Sequence, residues 1–115
     1  MTLNQIKFRE IKLYADLAAM AMFAAERDQQ QIIVEVKSFL GPSRVRDFEA
    51  ALGQYILYRL YLAQLFPEAV LYMAVSDAIY RSFFLKSAIQ FAVTQLDIKL
   101  IVFDVEQEVI VQWIS

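Results

Sequence analysis

Two residues of opposite charge stand two positions apart inside an apolar run of this sequence. Glu35 and Lys37 lie within residues 31–39, where the other positions are mostly isoleucine, valine and phenylalanine. Such a run predicts a strand, and in a strand residues i and i+2 point to the same side of the sheet. Because burying a carboxylate beside an ammonium group is costly unless both are paired, these residues predict either a salt bridge with a neighbour or part of a functional site.

A second carboxylate, Asp16, is separated from Glu35 by eighteen residues. Two carboxylates from adjacent strands can chelate Mg²⁺, which lowers the pKa of bound water and offsets charge on a scissile phosphate. A lysine beside the glutamate can orient that water or stabilise the developing charge. The spacing resembles the D…(D/E)-x-K pattern of restriction-endonuclease-like nucleases, so Asp16, Glu35 and Lys37 are the predicted catalytic residues, with Asp16 and Glu35 as metal ligands. The alternative is that Glu35 and Lys37 face solvent or pair across the strand ladder.

Gln54 and Tyr58 are four positions apart, so they share a face of a helix. The sequence around them resembles the Q-x-x-x-Y element of the RecB-like branch of these nucleases, which implies that both residues support the site or contact DNA. Arg44 and Arg46 form a local basic patch before them and are included as DNA-binding candidates. The alternatives are a Gln54 amide that bonds to backbone at a helix–sheet interface, and simple amphipathic packing of Tyr58.

The strands that must position these residues can be located from hydrophobic periodicity. Apolar runs bounded by polar breaks predict strands. Residues 17–26 are ambiguous, because their alanine and methionine content favours a helix, but the polar break at residues 27–30 fits a hairpin better. We therefore predict six strands, with a tight turn between the last two, at residues 6–16, 17–26, 32–39, 69–75, 98–103 and 109–113.

Two helical regions separate the later strands. Apolar residues repeat at helical spacing over residues 44–65, after a Gly-Pro break and with Ser43 as the N-cap candidate. Ser76 caps a second region, residues 78–95, which we expect to break at residues 86–87. The order of strands, helix, strand, helices and strands predicts an α/β fold, a restriction-endonuclease-like mixed β-sheet flanked by helices.

The composition limits both the domain count and the chemistry. A chain of 115 residues is predicted to form one domain, residues 1–115. Its 59% hydrophobic content and mean hydropathy of +0.43 imply strands buried on both faces, or a surface shared with a second subunit as in a homodimer. The absence of histidine and cysteine excludes imidazole catalysis and Cys- or His-ligated zinc. A catalytic metal would therefore be a hard cation held by oxygen atoms, and Mg²⁺ is the leading candidate.

Charge and hydropathy patterns bear on partners and location. The formal charge of −2 argues against a protein that coats nucleic acid electrostatically, so a DNA contact is expected to be local or helped by a partner. Charged residues interrupt every apolar run before it reaches the length of a membrane span, and the first ten residues hold no signal-peptide block. We expect a cytoplasmic protein without membrane contact, which the lack of cysteine fits.

Several segments of the chain are similar to the XisH family. The similarity extends over residues 12–115 and is carried by residues 25–28, 33–41, 45–59, 100–103 and 108–114. The family is cyanobacterial and is named for controlling excision of the fdxN element, a DNA rearrangement in heterocyst development. The resemblance implies that the chain works with a XisI-type partner and with a site-specific recombinase that carries out the recombination itself.

Three features depart from the family's usual pattern. Relatives usually begin with an extra N-terminal helix, which we expect this chain to lack. Where relatives often read D-L-G-A-E, residues 16–20 of this chain read D-L-A-A-M, so that glutamate is lost. Gln29 stands where a turn glycine is expected, and glutamine adopts a positive φ at a higher conformational cost than glycine.

The sequence leaves three functions open. The first is an accessory factor of DNA excision on a nuclease-like fold, in which the site either retains or has lost Mg²⁺-dependent endonuclease activity of the PD-(D/E)XK type. The second is a non-catalytic interaction protein that works with XisI, and the third is a nuclease toxin that XisI inhibits. The second would use exposed aromatic side chains as anchors. The candidates, each of which can instead pack in the core, are Tyr55, Tyr61, Phe83, Phe84, Phe91 and Trp113.

Overall fold

A hairpin of two strands begins the described part of the chain, helices and strands follow, and a second hairpin ends it. The computed structural model describes residues 22–115. Asp16, the predicted strand at residues 6–16 and the first part of the one at residues 17–26 therefore lie outside the described residues. The elements are β1 (Met22–Arg27), β2 (Gln30–Val36), α1 (Arg44–Leu65), β3 (Val70–Ser76), α2 (Asp77–Ile79), the π-helical segment Tyr80–Phe84, α3 (Ser87–Gln95), β4 (Leu100–Asp104) and β5 (Val109–Ile114).

A five-stranded mixed sheet organises these elements in the order β1-β2-β3-β4-β5. Within residues 22–115, the three central strands β2, β3 and β4 are parallel, and β1 and β5 pair antiparallel with them at the two ends of this strand order. Parallel neighbours need a crossover, which α1 supplies between β2 and β3, and which α2, the π-helical segment and α3 supply between β3 and β4. The predicted α/β fold is confirmed, and the arrangement is consistent with a restriction-endonuclease-like fold.

The hairpin between β1 and β2 has a two-residue turn, because Arg27 pairs with Gln30. Asp28 and Gln29 both adopt positive φ angles, 49° and 69°. This is the pattern of the turns whose twist matches that of the flanking strands, and it normally favours Asn or Asp followed by Gly. Gln29 therefore occupies a left-handed conformation in which glycine was expected.

Helix α1 begins and ends where the sequence predicts. The Ser43 hydroxyl oxygen accepts a hydrogen bond from the backbone N–H of Arg46 at 3.2 Å, which satisfies a free donor of the first turn. The helix ends before Phe66-Pro67, since the residue before a proline disfavours helical geometry. Its buried positions recur at helical spacing and face the sheet: Phe48, Ala51, Tyr55 and Leu62.

The second helical region breaks at residues 85–86, one residue before the predicted position at residues 86–87, and its first half is not a regular α-helix. Ser76 caps α2 by accepting a hydrogen bond from the Ile79 N–H at 3.2 Å. The following segment, Tyr80–Phe84, is π-helical, and the Leu85 N–H donates to the Tyr80 carbonyl five residues earlier. This wider turn was not predicted from the sequence.

The helices pack on one face of the sheet. The main core joins residues of α1, the π-helical segment and α3 to side chains of β1, β2, β3 and β4 on that face. A smaller cluster on the opposite face is centred on Ile32, Tyr72, Ala74 and Ile101. Within residues 22–115, none of the helices combines the length and hydropathy that a membrane span requires.

Candidate functional site

Glu35 is buried near the carboxyl end of β2. It pairs across the sheet with Met22 of β1 and Met73 of β3, and only 1% of its surface is exposed. Among residues 22–115 it is the sole buried polar or charged residue, and neither of its carboxylate oxygens has a hydrogen-bond partner there. Because buried polar groups are nearly always hydrogen-bonded, an unsatisfied carboxylate at this position requires an explanation.

The electrostatic surroundings of Glu35 disfavour its charged form. Burial raises the pKa of the Glu35 carboxyl above its ordinary value, and the Lys37 ammonium lowers it by a smaller amount. The distance from Lys37 Nζ to Glu35 Oε2 is 3.8 Å, so the two groups form an ion pair without a direct hydrogen bond. Residues 22–115 therefore supply only part of the compensation that a buried charge needs.

Lys37 connects the end of β2 to helix α1. Its backbone N–H donates to the Ala74 carbonyl at 2.9 Å, which extends the parallel pairing with β3 by one step. Its Nζ donates a hydrogen bond to Gln54 Oε1 on α1 and lies beside Glu35. The Lys37 side chain remains 23% exposed, so its ammonium group can still reach a molecule from solvent. The structure thus places Glu35, Lys37 and Gln54 together.

Tyr58 does not join this group. It is half-buried, lies one turn beyond Gln54 on α1 and packs against the main core. Within the described residues, it does not line the cleft in which Lys37 and Gln54 lie. The geometry therefore gives Tyr58 the packing position that amphipathic spacing alone also predicts.

An open cleft of about 310 Å³ adjoins Lys37 and Gln54. One wall is the loop at residues 38–41 that follows β2, and the other is the first half of α1, including Asp47 and Ala50. The Gly41 N–H donates to Asp47 Oδ2 at 2.9 Å, which ties the loop to the helix. A Cβ added at Gly41 would lie 2.5 Å from Asp47 Oδ1, so a larger residue at this position would displace the Asp47 carboxylate.

Phe39 anchors the same loop in an unfavourable backbone conformation. Its φ is 55°, a left-handed value that costs a bulky residue about 1–2 kcal/mol. Its buried ring packs against Phe83 and Phe84 of the π-helical segment, with centroid distances of 6.1 and 5.4 Å. Neither Phe39 nor Asp47 is predicted from the sequence as a determinant of the cleft. The Gly-Pro break after Phe39 marked the loop but gave no sign of its backbone geometry.

Arg44 and Arg46 lie on the first turn of α1, and their side chains are separate from the Glu35–Lys37 pair. Arg44 Nη1 donates to Ser82 Oγ at 3.5 Å and lines a second, smaller cleft. The Arg46 side chain is exposed, and its backbone N–H caps the helix through Ser43. The predicted basic patch is thus divided between a cleft and open surface.

The described residues supply only part of a metal site. Within residues 22–115, no group of three or more Asp, Glu, His or Cys side chains comes close enough to hold a metal ion. Glu35 fits such a site, because it is a buried carboxylate with oxygen atoms free of hydrogen bonds in that range. Asp16, the other predicted ligand, lies outside the described residues. A metal ion at Glu35 would need further ligands from outside that range.

Comparisons with known proteins identify close relatives. The family model described as XisH protein matches residues 3–111. A crystal structure of an XisH family protein from Nostoc punctiforme superposes with a TM-score of 0.79 at 45% identity, covering 82% of this chain and 74% of that chain. A crystal structure of an fdxN element excision controlling factor protein from Anabaena variabilis gives a TM-score of 0.78 at 46% identity with the same coverage. No curated protein matches the sequence.

Proposed function

Since this chain belongs to the XisH family, we propose that it controls the excision of a DNA element. The similar protein from Anabaena variabilis is described as an fdxN element excision controlling factor, and it shares 46% of its aligned residues and the fold of this chain. The proposed process is the excision of an fdxN-type element during heterocyst development. A site-specific recombinase would carry out the recombination, with a XisI-type protein as the direct partner.

We further propose that the site at the end of β2 hydrolyses a phosphodiester bond. The observation that supports this is the buried carboxylate of Glu35, which has no hydrogen-bond partner among residues 22–115 and lies beside the Lys37 ammonium group. Glu35 and Asp16 would hold Mg²⁺, which when bound lowers the pKa of its water and offsets charge on the phosphate. Without such a task, a charge buried at this cost would normally be lost or fully paired.

Lys37 and Gln54 have distinct roles in this proposal. The Lys37 ammonium group is partly exposed in the cleft and would bind a phosphate oxygen as negative charge develops on it. Gln54 is a positioning residue, because its carbonyl oxygen accepts a hydrogen bond from Lys37 Nζ and holds the ammonium group between strand and helix. Because the Gln54 amide is uncharged, it does not stabilise the developing negative charge in place of Lys37.

The nuclease proposal is tested by incubating purified protein with supercoiled and linear DNA in Mg²⁺ or Mn²⁺. We expect cleavage by the unaltered chain and a loss of at least about 100-fold in rate for Glu35→Gln and for Lys37→Ala. Glu49→Gln is the matched control, since Glu49 is an exposed carboxylate on α1. If the unaltered protein cuts neither substrate and binds neither metal, as measured by calorimetry, the nuclease part of the proposal is wrong.

A specific observation also favours a second function, that of a non-catalytic partner of a XisI-type protein. Leu57, Leu60 and Tyr61 are exposed on one face of α1, at spacings of three and four residues. Of the aromatic anchors considered from the sequence, Tyr61 and Phe91 are 53% and 67% exposed, and Trp113 is half-buried beneath Arg27. The other three candidates are buried in the core: Tyr55, Phe83 and Phe84. Exposed apolar side chains of this kind are typical of protein interfaces.

A further inference from the structure

A second cleft lies between the start of α1 and the π-helical segment. Its volume is about 220 Å³. Side chains from two separate parts of the chain face each other across it, and Arg44 Nη1 on one side lies 3.5 Å from Ser82 Oγ on the other. The lining consists of Ser43, Arg44, Val45, Ser82, Phe83 and Lys86.

The charges of this cleft are not balanced. Its lining within the described residues contains one arginine, one lysine and no acidic side chain. Neither Arg44 nor Lys86 forms an ion pair with any residue in the range 22–115. In contrast, Arg81 of the same π-helical segment is paired with Asp77 at 2.9 Å. The cleft therefore holds two positive charges that its own walls do not neutralise, which favours an anionic ligand.

The hydroxyl groups of the cleft are also suited to an anion. Ser43 Oγ accepts a hydrogen bond from the Arg46 N–H, and Ser82 Oγ accepts one from Arg44. Each hydroxyl hydrogen is then left to donate to a ligand. A guanidinium, an ammonium and two hydroxyl donors together match the oxygen atoms of a phosphate group.

The two clefts are neighbours. Phe83 lines the second cleft, Phe39 lines the cleft beside Lys37, and the centroids of their rings are 6.1 Å apart. One nucleic-acid strand that enters the Lys37 cleft can therefore place another of its phosphates in the second cleft. Contacts of this kind fix the register of a nucleic acid without reading its sequence.

We propose that the cleft lined by Ser43, Arg44, Ser82 and Lys86 binds a phosphate of a nucleic-acid backbone and aligns the strand with Lys37. This proposal rests on the proposed function, because it assumes that DNA is the molecule at the Lys37 cleft. It assigns roles to Ser82 and Lys86, and it separates Arg44 from Arg46, whose side chain does not line the cleft within the described residues.

The test measures binding of a fluorescein-labelled DNA duplex by fluorescence anisotropy in EDTA, so that the result does not depend on metal or cleavage. The double variant Arg44→Gln with Lys86→Gln is compared with Arg81→Gln with Lys99→Gln. The control variant also loses two positive charges, but from residues that form ion pairs with Asp77 and Asp97. We expect the cleft variant to bind DNA at least about tenfold more weakly than the unaltered protein. The slope of its log binding constant against log salt concentration should be smaller in magnitude by up to about two. The control variant should bind within about twofold of the unaltered protein.

Four outcomes would overturn the proposal. Equal losses in the two double variants would mean that net charge, not the cleft, determines binding. If the unaltered protein does not bind DNA, DNA is not the ligand of this cleft. The third outcome uses inorganic phosphate, followed by NMR. If phosphate shifts the Ser82 amide resonance while the cleft variant binds DNA normally, the cleft binds free anions and not the DNA backbone. If the cleft variant binds DNA normally and retains Mg²⁺-dependent cleavage, the cleft does not bind the DNA backbone, whereas the proposed nuclease activity is unaffected.

Discussion

Glu35 and Lys37 can be interpreted as a stabilising salt bridge or as a site maintained at a cost in stability. A separation of 3.8 Å without a hydrogen bond is poor geometry for a buried ion pair, and burial dominates the shift in the pKa of Glu35. Removing one partner of a well-made buried pair destabilises a protein, whereas removing a poorly compensated charge can stabilise it. The two interpretations therefore predict opposite effects of the same substitution.

We expect Glu35→Gln to be more stable than the unaltered protein at neutral pH. The folded state raises the pKa of Glu35 above its ordinary value of 4.5, so the folded protein binds this proton more tightly than the unfolded chain does. The corresponding stability is present below pH 4.5 and is lost as the pH rises through the folded pKa. The advantage of the variant should therefore be smallest at pH 4 and should grow as the pH rises to 7.5.

Urea unfolding at several pH values measures this difference, with Glu49→Gln as the control for loss of an exposed carboxylate. Lys37 keeps its hydrogen bond to Gln54 in the variant, so its ammonium group is not left without a partner. A variant that is less stable than the unaltered protein at pH 7.5 would identify the pair as a structural salt bridge.

Helix α1 and the loop before it show which local features can be predicted from sequence. Ser43 as cap, and the bounds of the helix, follow from a Gly-Pro break and from apolar spacing, which are both local signals. The positive φ of Phe39 does not follow from its residue type, because it is imposed by long-range packing on Phe83 and Phe84. The π-helical segment likewise has no single-residue signature.

Asp47→Ala is expected to loosen the loop that forms one wall of the Lys37 cleft. The substitution removes the acceptor of the Gly41 N–H and a negative charge in the first turn of α1. We expect a loss of about 1 kcal/mol in the free energy of unfolding and faster hydrogen exchange at the Gly41 amide. Glu49→Ala, two residues further along the helix, should change neither, and unchanged exchange at Gly41 in Asp47→Ala would refute this role of Asp47.

The hairpin turn offers a stabilising substitution. Gln29 adopts a φ of 69° that glycine reaches without steric cost, so Gln29→Gly should raise the free energy of unfolding by roughly 0.5–1 kcal/mol. Gln31→Gly, in strand β2 two residues later, should instead lower it, because glycine weakens a strand. Thermal unfolding of the two variants measures both effects, and a destabilised Gln29→Gly would show that the glutamine side chain contributes more than its backbone strain.

At the scale of the whole molecule, the parallel strands direct the two clefts to one end. Lys37 follows β2, and the π-helical segment follows β3 by way of α2, so both clefts lie at the carboxyl ends of parallel strands. This is where open α/β sheets commonly bind ligands. The pattern of strands and helices predicted the fold class, whereas the inclusion of Gln54 beside Glu35 and Lys37 came from the resemblance to the Q-x-x-x-Y element. The sequence did not predict the second cleft, which depends on how α1 faces the π-helical segment.

The second half of α1 offers a surface away from those clefts. Leu57, Leu60 and Tyr61 are exposed there, three to seven residues beyond Gln54. We expect Leu60→Glu to weaken binding of a XisI-type partner, or formation of a homodimer, by at least about tenfold while Mg²⁺-dependent cleavage is retained. Calorimetry with the partner and sedimentation equilibrium of the chain alone measure the two interactions. Gln64→Glu, an exposed polar position one turn later, is the control. Loss of cleavage in Leu60→Glu with the fold intact would contradict this separation of surfaces.

Excision of an fdxN-type element in cells that carry the Glu35→Gln chain tests the central claim most directly. Quantitative amplification of the rejoined DNA junction measures excision, and protein levels are matched to those of the unaltered chain and of Glu49→Gln. If excision control depends on the chemistry of the buried carboxylate, the junction should fall to background in Glu35→Gln and remain normal in Glu49→Gln. Normal excision in Glu35→Gln would contradict the claim and favour a protein that controls excision through its partners alone.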